Sequence, residues 1–304
     1  MQDRHAHLLL SAAIADLEWE FGVSLPNFRT FDLPALQEGE TETSTQAIAR
    51  LNRWVRQFLV PLCQCPNYLE VSVRSALEQA QKSGVTRFEA SFGADFPWIY
   101  HLTPEDCVER IARTHQEFTP TLDFRLDLGF PRTKPAEDLE KWLGDVLRVR
   151  DRRPDLAPYF GGIDLYDVED AQPPETFRSL FRTAQNAGLK LKAHVGEFGS
   201  AETIRHTVEV LDLAEVQHGI HAVESPEVLR FLADRGTILN VSPTSNRILH
   251  AFDWDQRPTP VERLREAGVQ FLFSSDDYML FGASAADEMN QFSLNNSSPQ
   301  NEQT

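Results

Sequence analysis

From about residue 85 onward, short apolar runs of strand length alternate with longer stretches whose apolar residues recur at helical spacing. No other feature of the chain constrains its fold as strongly. The pattern predicts strands at Val85–Phe92, Thr121–Phe130, Tyr159–Tyr166, Leu189–Val195, Val216–Ala222, Gly236–Val241 and Val269–Ser275. Between them it predicts helices at Thr103–Phe118, Pro135–Val149, Glu175–Ala187, Ala201–Leu213, Ser225–Arg235 and Pro260–Ala267. Thr103-Pro104-Glu105-Asp106 carries a capping hydroxyl, a proline at the first helical position and acids in the first turn. Asn186-Ala187-Gly188 and Glu266-Ala267-Gly268 read as helix ends that run into the next strand. Strands joined by helical crossovers run parallel. With an N-terminal strand leading into His5 they make eight units, and 304 residues suit the ~250-residue norm of a closed (β/α)8 TIM-type barrel. An open doubly wound sheet satisfies the same periodicity.

Residues 1–292 read as a single barrel with a short first strand and a shortened C-terminal helical region ending in Ser284–Phe292. Phe28–Thr45 is a polar insertion that reads as a loop or lid, followed by helical patterns at Gln46–Leu62 and Leu69–Lys82. The Asn-, Ser- and Gln-rich segment 293–304 reads as a disordered tail. Acidic residues outnumber basic ones 46 to 29, a net charge of −17 that repels polyanions and argues against nucleic-acid and anionic-membrane partners. No apolar run approaches the ~20 residues of a membrane span. The first residues lack the layout of a secretory signal, and three cysteines do not suggest a disulfide framework, so the expected location is the cytoplasm.

Parallel barrels hold their working groups at the C-terminal ends of the strands. There the chain places His5-Ala6-His7, whose imidazoles face one side of an extended segment, and Lys192-Ala193-His194-Val195-Gly196-Glu197. Gln217-His218-Gly219-Ile220-His221 and Ser274-Ser275-Asp276-Asp277 end two further strands. Taken singly, each also reads as core or surface residues. Together, three histidine elements and a carboxylate pair converge on one face. Three histidines and an aspartate suit a zinc ion with a position left for water, whose pKa the metal would lower, and a nearby glutamate would shuttle protons.

At these residues the sequence resembles the adenosine deaminase family of metal-dependent amidohydrolases. His5-x-His7-Leu8, His194-x-x-Glu197, Gln217-His218-Gly219, Ser242-Pro243-Thr244-Ser245-Asn246 and Ser275-Asp276-Asp277 follow the order of the family's motifs over about residues 5 to 290. The resemblance implies a single divalent ion, most simply zinc, held by His5, His7, His194 and Asp276. It implies hydrolytic removal of an exocyclic amine from a purine-like ring by hydroxide formed at the metal. Glu197 would be the general acid/base, His218 would orient the attacking oxygen, and Asp277 would hold a ring nitrogen. Asp164, Tyr166, Asp167 and Gly196 fall on the substrate side.

The departures from the family pattern also lie on the substrate side. Leu9-Leu10 stand where an acid and a glycine usually follow the opening motif, and that acid contacts ribose in the relatives. Asp164-Leu165-Tyr166-Asp167 replaces a glycine-bearing turn, and Tyr278 replaces a proline. The expected substrate is therefore an adenosine-like or other aminated purine-type compound. Hydrolysis of an amide or ester, and a non-catalytic nucleoside-binding or assembly subunit, are the competing readings. The short chain ends leave room for a second copy or a partner subunit. Phe92, Phe96 and Trp98 are the expected pocket walls.

Overall fold

The computed structural model describes residues 1–34, 42–95 and 99–293. The polar centre of the expected lid (35–41), Phe96 and Trp98, and the expected tail from 294 onward lie outside the described residues. Eight parallel strands, neighbours in sequence order, form the sheet of a (β/α)8 barrel. They are β1 (Gln2–Asp3), β2 (Arg87–Gly93), β3 (Asp123–Pro131), β4 (Phe160–Tyr166), β5 (Lys190–Val195), β6 (Glu215–His218), β7 (Ile238–Val241) and β8 (Phe271–Phe273). The circle closes between the ends of β8 and β1. Ala6 bridges to Asp276, Asp276 N donates to His5 O at 2.9 Å, and Ser275 Oγ donates to Asp3 Oδ2 at 2.6 Å.

Helices α1 (Ile14–Phe21), α2 (Ser44–Trp54) and α3 (Tyr68–Lys82) precede β2. The crossovers are α4 (Pro104–His115), α5 (Ala136–Arg152), α6 (Arg178–Asn186), α7 (Ala201–Leu211), α8 (Pro226–Arg235), and α9 (Pro243–Ile248) with α10 (Pro260–Glu266). The chain goes on through α11 (Tyr278–Phe281) to α12 (Ala285–Ser293). Their ends follow local chemistry. Thr103 and Asp106 form a reciprocal capping box before α4, and Thr259 with Glu262 does the same before α10. Gly188 and Gly268 take φ of 74° and 73° in the turns that lead from α6 and α10 into strands. The expected helix at Gln46–Leu62 is α2 continued through a wider turn at Val55–Leu59. The expected strand Val216–Ala222 stops at His218, because Gly219 turns the chain at φ 64° into a single tight helical turn over Ile220–Glu224. Among the described residues no helix is long and apolar enough to cross a membrane.

Side chains alternate along each strand, and the apolar ones face the helices. Phe88, Ala90 and Phe92 on β2 and Leu126, Leu128 and Phe130 on β3 are buried in that outer layer. The barrel interior is polar. Lys192 on β5 reaches Glu89 on β2 and Asp127 on β3, both at 2.6 Å, and strands that are not neighbours meet only across the interior. Glu215 on β6 and Asn240 on β7 pair beside them at 2.9 Å. This charged tier forms the floor beneath the site.

Candidate active site

One tier above the floor, His194 is the penultimate residue of β5 and His218 the last of β6, while Asp276 lies past β8. His218 and Asp276 have φ of 64° and 55°, a backbone region that residues other than glycine rarely adopt and that concentrates at working sites. His5 and His7 flank the bridging residue Ala6 and turn inward together.

Three overlapping sets of ligand atoms result: His5, His194 and His218; His5, His7 and Asp276; and Glu197, His218 and Asp276, each mutually within 4.8 Å. His5 Nε2 lies 3.0 Å from His194 Nε2 and 3.5 Å from Asp276 Oδ1, and His7 Nε2 lies 3.6 Å from that oxygen. The outer nitrogens fix the tautomers. His194 Nδ1 donates to Asp164 Oδ1 at 3.1 Å, which frees Nε2 as a lone pair. Asn246 donates its amide to His218 Nδ1 at 3.2 Å, so a neutral His218 carries its proton on Nε2, which faces Glu197 Oε2 at 3.5 Å. His218 thereby presents a donor, and His194 a free lone pair.

Burial and the neighbouring histidines hold His5 and His218 well below the usual imidazole pKa, and burial lowers His7. Burial opposes protonation of His194 too, but the charge and hydrogen bond of Asp164 turn that shift upward. Glu197 is pushed well above the carboxylate range by burial, then by Asp276 and Glu169, and Asp277 by burial, then by Asp276 and Glu197. Glu197 Oε1 and Asp277 Oδ1 are buried without a hydrogen-bond partner among the described residues. Two imidazole nitrogens 3.0 Å apart, one of them the His194 lone pair, with a carboxylate oxygen 3.5 Å from His5 are a donor set suited to a divalent cation. The residues fit such an ion.

A cavity of ≈ 1110 Å³ opens above the cluster, walled by Leu9, Leu10, Tyr166, Asp167 and Phe281 and roofed by Ile48, Leu51 and Val55 of the α2 segment. The cover over the mouth thus includes α2 and, of the polar insertion, Thr45. Tyr166 sets its ring 5.5 Å from that of His7. Asp167 keeps a glycine-like φ of 81° and accepts from the Thr133 hydroxyl.

Four expectations are corrected by these positions. Asp164 does not wall the cavity: it is 0 % exposed, one tier down, with its oxygens engaged by Ser91 and His194. The Gly196 N–H is taken by Glu169, and a Cβ there would strike Ile204, so packing against α7 explains this glycine. His221 turns away from the site after Gly219 and pairs with Glu224 and the Ala251 carbonyl. Phe92 faces the helices because its neighbours Ser91 and Gly93 take the inward positions. Sequence reasoning missed Asn246's contact to His218, and it missed Glu169 and Arg132 altogether.

The family model described as adenosine deaminase matches residues 10–302. The chain belongs to the adenosine deaminase family. The match begins just past His5 and His7, so those two positions stand on geometry. A Treponema pallidum protein provisionally named adenosine/adenine deaminase is 29% identical over 287 residues, 94% of this chain and 89% of that one. The adenine deaminase of Cupriavidus necator is 35% identical over 171 residues, covering 56% of this chain and 45% of that relative. Among solved structures, the adenine deaminase of Arthrobacter aurescens superposes with a TM-score of 0.74 at 24% identity, covering 95% of this chain and 86% of that one. An amidohydrolase from Burkholderia ambifaria with bound zinc gives 0.74 at 21% identity, covering 98% and 80%. At such identities the superpositions speak to the adenosine deaminase fold.

Proposed function

We propose that the chain is a hydrolytic deaminase that exchanges the exocyclic amine of an aminated purine-type ring for oxygen and releases ammonia. The observation that carries this reading is the buried carboxyl of Glu197, unpartnered at Oε1, beside the imidazole of His218 and the cluster of His5, His7, His194 and Asp276. Those four residues would hold a divalent ion, and three imidazole nitrogens with one carboxylate oxygen suit zinc; the Burkholderia ambifaria amidohydrolase of the same fold is described with bound zinc. When bound, the ion supplies the Lewis acidity that brings a water's pKa toward neutrality.

The chain's own groups do the rest. Glu197, protonated by virtue of its burial, donates to the ring nitrogen next to the amine-bearing carbon, then passes one proton of the attacking water to the departing amine and regains the water's other proton as the carbonyl forms. His218 orients that water through Nε2–H and steadies the negative charge that develops on oxygen. Asp277, also kept protonated, donates to an acceptor nitrogen of the ring. Asp164 fixes the tautomer of His194. Tyr166 and Asp167 wall the ring's far side, and Leu9 and Leu10 put apolar surface where a sugar hydroxyl would need a partner. The reading therefore favours a free base or a sugar-modified nucleoside over adenosine. A cytoplasmic location and self-association or a partner subunit complete the proposal, and sedimentation at several concentrations tests the latter.

The test is metal analysis of the purified chain together with ammonia release from adenine, adenosine and their phosphorylated and N-alkylated forms. Stoichiometric metal and a loss of at least about 100-fold in Glu197→Gln are expected. Protein without metal, or a fully active Glu197→Gln, refutes the reading.

A further inference from the structure

The segment carrying Glu197 leaves β5 at Val195, turns at Gly196 and reaches α7 only at Ala201. No strand or helix of the described residues runs through it: the Gly196 carbonyl accepts from the His221 N–H at 3.3 Å, and the N–H groups on either side of Glu197 go to one carboxylate. Glu169, in the connection after β4, accepts the Gly196 N–H at Oε1 (2.6 Å) and the Phe198 and Gly199 N–H groups at Oε2 (both 3.1 Å). These donors straddle Glu197 on both sides. We propose that Glu169 is a positioning residue for deamination, clamping the backbone so that the Glu197 carboxyl meets the substrate ring in a fixed place. The inference rests on the assignment of Glu197 as the acid.

Two further contacts give the clamp its direction. Arg132, 1 % exposed, donates from Nη1 to the Glu169 carbonyl at 2.6 Å and from Nη2 to the His194 carbonyl at 2.9 Å. The same guanidinium thus ties the backbone of Glu169 to that of the residue whose imidazole faces the cation site, and the distance between acid and ligand is set through one rigid fork. Gly199 has no side chain at the point where the carboxylate seats, and a Cβ there would collide with the Glu169 oxygens. Three convergent N–H groups form a concave anion cradle, and a carboxylate in it makes charge-assisted bonds stronger than a neutral acceptor would. Gln172 in turn donates to the Arg132 carbonyl at 2.6 Å and holds the base of the fork.

The experiment uses the full-length, metal-loaded protein and compares Glu169→Ala, Glu169→Gln and Gly199→Ala with wild type. A displacement of about 1 Å at the acid costs on the order of 100-fold in rate, so kcat is expected to fall about 10- to 100-fold in Glu169→Ala while KM and metal content hold within about threefold. Glu169→Gln recovers part of kcat, because one oxygen still accepts from Phe198 and Gly199 while its amide opposes the Gly196 N–H. Gly199→Ala lowers kcat in the same sense without touching any charge, and it carries the test together with Glu169→Gln should the alanine variant not fold. A kcat within about twofold of wild type in Glu169→Ala overturns the clamp. Metal content falling in parallel with kcat overturns it as well, since Glu169 would then support the scaffold at large. Glu197→Gln is the control. If it is inactive while the Glu169 variants are unaffected, the clamp alone fails, and if it is active, the assignment beneath it fails too.

Discussion

Replacing Lys192 with methionine measures how the charges inside the barrel are held. The Lys192 amine is 2.6 Å from Glu89 Oε2 and 2.6 Å from Asp127 Oδ2, with exposures of 0%, 1% and 1% for the three side chains. Glu89 keeps Arg87 at 2.6 Å and Lys190 at 3.0 Å when the amine is lost. Asp127 keeps no hydrogen-bond partner among the described residues, for its Oδ1 is already buried without one. Removing one member of a buried pair costs about 3–5 kcal/mol, and the partners left to Glu89 place the expected loss near the lower end, about 3 kcal/mol. Lys192→Met/Asp127→Asn removes both ends of the pair and is expected to regain about 2 kcal/mol of that loss. The dependence on pH has a definite sign. Burial pushes Asp127 up to about 7 against the pull of Lys192, so the stability linked to its proton is complete below the ordinary carboxyl value and is lost as pH rises through 7. Without the amine that pKa rises further, so the penalty is larger at pH 8 than at pH 5. Urea unfolding followed by tryptophan fluorescence and far-ultraviolet circular dichroism reads both effects. A loss under about 1 kcal/mol, a double variant no better than the single, or a penalty that grows on acidification would refute the reasoning.

At Gly129 a Cβ would stand 2.6 Å from Tyr166 Cε1, so Gly129→Ala is expected to cost about 1–3 kcal/mol and to raise KM by tilting that ring, as thermal unfolding and steady-state kinetics would record. Burial pushes Glu288 up to about 8, so wild-type stability falls as pH rises from the ordinary glutamate range through 8. Glu288→Gln keeps an acceptor for the Thr244 N–H and is expected to flatten that decline, by a few kcal/mol (order of magnitude) at pH 9; unfolding midpoints across pH 4 to 9 check it. Chelation is expected to abolish ammonia release and to lower the melting temperature, with both restored by zinc, since an ion at about 1,000 times its Kd adds about 4 kcal/mol. An unchanged melting temperature on metal removal contradicts the assignment of the four ligands.

Much of the barrel was legible because a strand and its crossover write different periods into the sequence. The cluster of His5, His7, His194 and Asp276 was legible because its members sit at or just past strand ends in a fixed order. The polar interior was not legible, although Lys190-Leu191-Lys192-Ala193-His194 spells out its alternation. Lysines in a strand look solvated until their partners are known, and those partners come from β2, β3 and β6, far away along the chain. Asp164 was assigned by its neighbours Tyr166 and Asp167, yet a tier separates it from the cavity they line, and only the barrel's tilt and stagger decide which tier meets the ligand. Glu169 left no signal. Asp167-Val168-Glu169-Asp170 reads as a polar turn, and what Glu169 binds is backbone, which has no letter in the sequence.

The barrel's circle is completed at its thinnest place, where a two-residue strand meets a three-residue one. His5 and His7 stand on one side of that join and Asp276 on the other. An ion gripping all three, as proposed, would act as a rivet through the wall of the cylinder. Emptied protein should therefore gape at one address while the remaining staves hold, and amide exchange at His7 and Asp276 would quicken before any other pair in the sheet.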